Sequence, residues 1–69
     1  MIEVFKTDVQ NAAEAERIIG LLLQYYPDGR INFDLQDCDK ILRVEGNNVC
    51  CEKIIELVTS HGHQCSILE

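Results

Sequence analysis

Two short stretches hold most of the side chains able to do chemistry. His61-Gly62-His63-Gln64-Cys65 sets two imidazoles at alternating positions with a thiol two residues beyond, and imidazole combined with thiolate or carboxylate suits zinc, copper or nickel. His61 and His63 are therefore candidate metal ligands. A histidine near a helix C-terminus also has a structural use, because its ring can meet the last exposed carbonyls. The second stretch carries Asp8, Asn11 and Glu14, three oxygen side chains on one segment. Calcium and magnesium require more ligands than that for tight binding. The spacing Asn-x-x-Glu equally matches a capping box. In that arrangement the Asn11 oxygen accepts an N–H from the first helical turn, while the Glu14 carboxylate reaches back to the Asn11 N–H.

Cys50 and Cys51 raise a different chemistry. Their Cα atoms are only about 3.8 Å apart, too close for an ordinary disulfide. A thiol in the first turn of a helix is expected to have a lowered pKa, so one of the pair is a candidate redox-sensing thiolate and the other a small core hydrophobe. Catalysis has less support. The chain has no glycine-rich phosphate cradle, and Ser60 and His61 adjoin in sequence, where neighbours at a helix end need not meet as side chains. The chain is expected not to be an enzyme, with no catalytic residues and no cofactor.

Six elements in the order β-α-β-β-α-β must position these groups. The first strand runs from about Ile2 to Thr7, with Phe5, Thr7 and Val9 on one face and Lys6 toward water. A helix from about Ala12 to Tyr25 draws a stripe through Ala15, Ile18, Ile19, Leu22 and Leu23, and Gly20 within it predicts close packing against the sheet. Tyr26-Pro27-Asp28-Gly29 stops the helix, with glycine expected to supply positive φ. Arg30 to Leu35 alternates, Ile31, Phe33 and Leu35 on one face, and a polar turn over Gln36–Lys40 returns to a strand through Leu42 and Val44. Gly46-Asn47-Asn48 breaks that strand and offers an N-cap for a helix from about Val49 to Ser60. Gln64 to Leu68 forms the last strand.

The predicted fold class is α+β: a ferredoxin-like βαββαβ sandwich with a four-stranded antiparallel sheet and two helices on one face. With 69 residues, 46% of them apolar, the chain has room for one domain over residues 1–69. A core of this size contributes only about 3–5 kcal/mol. No apolar run reaches the roughly 20 residues that span a bilayer, and the amino terminus lacks a secretory pattern, so the expectation is a cytoplasmic protein with no membrane partner. Twelve acidic against six basic residues give a net charge of −6 without any basic cluster, which disfavours nucleic acid. Cys38, Cys50, Cys51 and Cys65 then read as reduced thiols.

Across nearly its full length the chain resembles the heavy-metal-associated domain family of small copper chaperones and transport-ATPase modules. The resemblance lies in Phe5-Lys6-Thr7-Asp8-Val9, Pro27 with Gly29, Ile31-Asn32-Phe33-Asp34-Leu35, Val44-Glu45-Gly46 and Gly62-His63. The family transfers soft metal through two cysteines of a Cys-x-x-Cys motif, and here those positions are Asn11 and Glu14. The resemblance also implies that the loop with His61 and His63 and the hairpin with Cys38 lie beside the family's metal loop. Cys38 or Cys65 then becomes a possible sulfur ligand.

The expected function is a small cytoplasmic interaction or regulatory module on a metallochaperone-like fold without its thiolate pair. The alternative is a divergent zinc, copper or nickel carrier or sensor using His61 and His63. For the first, the partner is a protein or a second copy. It would be met by the acidic positions Asp8, Glu14, Glu16 and Asp34, or by an edge strand at Arg30 to Leu35 or Gln64 to Leu68.

Overall fold

A computed structural model describes residues 1–68. The elements are β1 (Ile2–Thr7), α1 (Ala12–Tyr25), β2 (Arg30–Asp34), β3 (Ile41–Glu45), α2 (Cys51–Ser60) and β4 (Cys65–Ile67). The strands pair antiparallel in the order β2-β3-β1-β4, so the fold is the ferredoxin-like α+β sandwich and its edges are β2 and β4. Alternation decides which face is covered. Phe5 on β1 lies opposite Leu42 on β3, and these two with Val44 are fully buried against the helices. The helices contribute Ala15, Ile18 and Leu22 from α1, and Ile54, Leu57 and Val58 from α2. Lys6, of opposite parity, is exposed.

Several local expectations are corrected. The buried stripe of α1 is narrower than the spacing predicts: Ile19 is half-buried and Leu23 is 36% exposed. A Cβ on Gly20 would meet nothing within 4 Å, so this glycine marks no close approach to the sheet. Gly29 matters for space and not for positive φ, since a Cβ there would stand 3.1 Å from the carbonyl oxygens of both Glu45 and Tyr26. The left-handed conformations fall instead at Lys40, Asn48 and Gly62. With Asn48 turned that way, α2 begins at Cys51, and its N-cap is Cys50 with no side-chain cap bond. β2 ends at Asp34 and β4 spans only Cys65–Ile67, each shorter than alternation alone indicates. Ile67 shares the parity of Cys65 yet remains 51% exposed.

Antiparallel pairing collects the β1–α1 loop, the β2–β3 hairpin and the α2–β4 loop at one end of the sheet. The α1–β2 loop and the β3–α2 loop lie at the other.

Candidate functional site

At the three-loop end, Thr7 ties β1 to the hairpin. Its buried hydroxyl donates to the Lys40 carbonyl and accepts from the Val9 N–H, while the Thr7 N–H donates to the Asp39 carbonyl at 3.0 Å. This explains a buried polar side chain in a strand of an otherwise apolar core, because each of its polar roles is filled. Beyond Thr7, the Asp8 carboxylate turns toward the α2–β4 loop. Its Oδ1 accepts the Gln64 N–H at 2.9 Å and lies 3.1 Å from His63 Nδ1. The His63 side chain is only 12% exposed and that of Asp8 42%, so the pair is a shielded clasp between segments far apart in sequence.

At the start of α1, Asn11 is extended, and its Oδ1 accepts the Glu14 N–H at 2.9 Å. Glu14 reaches back, but to the N–H of Gln10 at 2.9 Å, one residue before the expected Asn11. The capping pair is therefore present with its second bond shifted outward. Both side chains that stand where the resembled family has thiolates are occupied in holding the helix. They do not fit a soft-metal thiolate pair, so no metal transfer follows from these positions.

The two histidines part ways. His63 meets Asp8, whereas His61 folds onto its own helix, with Nδ1 3.0 Å from the Leu57 carbonyl and 3.1 Å from Ser60 Oγ. The side chains of Ser60 and His61 do meet. A carbonyl can only accept, so the Nδ1 hydrogen points to Leu57, and Ser60 Oγ donates to the same carbonyl at 2.9 Å. The nitrogen nearest the hydroxyl then has no lone pair with which to act as a base. The arrangement caps α2; it does not activate a nucleophile.

Among the described residues, Asp37, Cys38 and Asp39 form the group of three metal-capable side chains whose donor atoms lie within 4.8 Å of one another. Sequence reasoning placed only Cys38 near the site and read its neighbours as a polar turn. The available signal was a carboxylate on either side of the thiol. Both carboxylates have work already: Asp37 Oδ1 accepts the Asp39 N–H at 2.9 Å, and Asp39 pairs with Lys6 at 3.6 Å.

Two of the thiols, Cys51 and Cys65, hold their protons more tightly than a free thiol. Partial burial, then the nearby Glu3 side chain, push Cys51 above the ordinary thiol range in spite of its place in the first turn of α2. Burial pushes Cys65 up to about 11. Cys51 is therefore not the acidic member of the Cys50–Cys51 pair: partial burial, with the Glu3 side chain adding to it, outweighs the helix start, and neither is visible in the local sequence.

The surface hollows are small. One of about 140 Å³ lies between Tyr26, Gly29 and Asn47 at the far end, and one of about 210 Å³ lies beside Thr7, Gln64 and Cys65. Both are below the roughly 300 Å³ at which small-molecule sites begin. Among the described residues no helix is long and apolar enough to cross a membrane.

The fold and the loop geometry together define a small ferredoxin-like α+β domain, consistent with the heavy-metal-associated resemblance in topology. No protein-family model, no curated protein and no solved structure matches the chain.

Proposed function

We propose that this chain is a small interaction or regulatory module, non-catalytic, built on a metallochaperone-like ferredoxin fold and acting through a protein partner in the cytoplasm. One observation carries the reading: Asn11 and Glu14, at the positions where the resemblance expects thiolates, cap α1 through the Glu14 and Gln10 N–H groups. What remains to do work is surface, above all the edge strands β2 and β4. Four free cysteines fit a reducing compartment. The test is an amide NMR titration of the reduced protein with Zn²⁺, then with Cu⁺ without oxygen. The expected result is no localised shift in residues 8–14 and 61–65. Stoichiometric shifts there at micromolar metal would overturn the reading.

A second reading, a transition-metal carrier or sensor using His61 and His63, draws support from the Asp8–His63 contact. A carboxylate on one ring nitrogen is how proteins orient an imidazole for metal at the other. This reading requires that replacing both histidines by alanine abolish zinc or copper binding.

A further inference from the structure

We infer that the β2 edge pairs with β2 of a second copy, antiparallel about a two-fold axis at Asn32, making one continuous sheet across the dimer. The inference rests on the interaction-module reading and names its partner.

Backbone geometry comes first. The Gly46 N–H donates to the Met1 carbonyl, and the Leu68 N–H donates to the Val4 carbonyl. Antiparallel ladders alternate bonded and non-bonded pairs, so Glu3 and Phe5 bond toward β3 while Val4 bonds toward β4. On β3, Val44 and Leu42 then bond toward β1, and Ile41, Arg43 and Glu45 bond toward β2. Their partners are Asp34, Asn32 and Arg30. The N–H and C=O groups of Ile31 and Phe33 are left pointing outward from the sheet edge.

Those are the groups a two-fold at Asn32 would use. Ile31 would face Phe33 of the second copy, and Phe33 would face its Ile31, giving four backbone hydrogen bonds. The same register sets Arg30 opposite Asp34 of the other copy, twice, on the open face of the sheet. Both side chains are exposed, and neither forms an ion pair among the described residues. Shifting the axis by one residue toward the amino end uses Gly29, whose N–H already donates to the Tyr26 carbonyl, and sets Asp28 against Asp34. Shifting it the other way sets Arg30 against Gln36 and loses both ion pairs. The segment Arg-Ile-Asn-Phe-Asp is therefore complementary to itself in one register.

The helix face agrees. Tyr25 sits on one flank of the buried stripe of α1, where Lys53 of α2 lies 5.0 Å from its ring. At about 3.6 residues per turn, Ile19 and Leu23 fall on the opposite flank, toward β2, against which α1 packs. Half-buried Ile19, Ile31 and Phe33 and exposed Leu23 line the free edge, and a second copy would cover them. β2 also carries no proline, lysine or bulge to block pairing: its five residues pair with β3 in unbroken register, and its two charges complement each other across the two-fold.

The experiment exchanges charges. Sedimentation of the wild-type protein from micromolar to millimolar concentration should show a monomer–dimer equilibrium. Arg30→Asp and Asp34→Arg each set like charges opposite one another at both positions, weakening the dimer by about tenfold or more. An equimolar mixture of the two variants restores opposite charges at both positions and should form a heterodimer at wild-type strength. A variant that had failed to fold would not be rescued by mixing, and circular dichroism checks each one. A wild-type protein that stays monomeric at millimolar concentration overturns self-pairing. So does a dimer untouched by either substitution, which would place the contact on another surface and leave the interaction-module reading intact.

Discussion

The amino-terminal turns of α1 and α2 lie at opposite ends of the sheet and meet the same need in different ways. A helix start leaves backbone N–H groups without partners. At α1 a side chain supplies one: Asn11 takes the Glu14 N–H, while the Glu14 carboxylate ties down the Gln10 N–H just ahead of the helix. At α2 the N-cap is Cys50, whose side chain accepts nothing, and its own N–H meets the Tyr26 hydroxyl at 3.4 Å. The three-loop end is thus held by polar side chains that satisfy one another. The far end is held by close backbone approach and an aromatic rim. The end that is chemical in a metal carrier is self-satisfied here.

This contrast can be broken at either end. The largest effect is expected at Gly29. Gly29→Ala forces a Cβ against two backbone carbonyls that cannot easily yield, and should destabilise the domain by about 1–3 kcal/mol in urea unfolding. At the other end, Asp8→Ala removes the acceptor for Gln64 and His63 and should cost about 1–2 kcal/mol, with faster hydrogen exchange at the Gln64 amide. Asn11→Ala should cost about 1 kcal/mol. Cys50→Asp gives α2 the cap it lacks and should instead stabilise by about 0.5–1 kcal/mol; an unchanged midpoint would mean that the α2 start needs no side chain.

The effect at Cys65 is confined to alkaline pH. The unfolded chain loses this proton near the ordinary value of 9.0, whereas the folded chain keeps it up to about 11. The contribution is therefore fully present below pH 9 and lost as pH rises through 11. Cys65→Ser should flatten that part of the stability–pH profile, and alkylation at pH 9 should modify exposed Cys38 well before Cys65.

Residues that act on near neighbours were legible along the chain. The limits of β1 and α1 follow from alternation and a cap, and the Asn11–Glu14 pair follows from its spacing. The pairing of Asp8 with His63 was legible only as far as the resemblance placed two loops together. That His63 would turn toward Asp8 and His61 toward Leu57 depended on the geometry of the last helical turn. The thiols misled local reasoning for a related reason. A helix start favours a thiolate, but burial and, after it, Glu3 from across the fold hold the Cys51 proton on.

Periodicity, turn residues and caps act over a few residues, so the order of elements, the buried parity of β2 and β3 and the absence of a Cys-x-x-Cys pair were contained in the chain. Strand order brought Asp8 to His63, Glu3 to Cys51 and Gly29 to Glu45, and it left β2 with a free edge. Those juxtapositions link residues distant in sequence, and they exist once the sheet has closed and burial has set which groups share a low-dielectric neighbourhood.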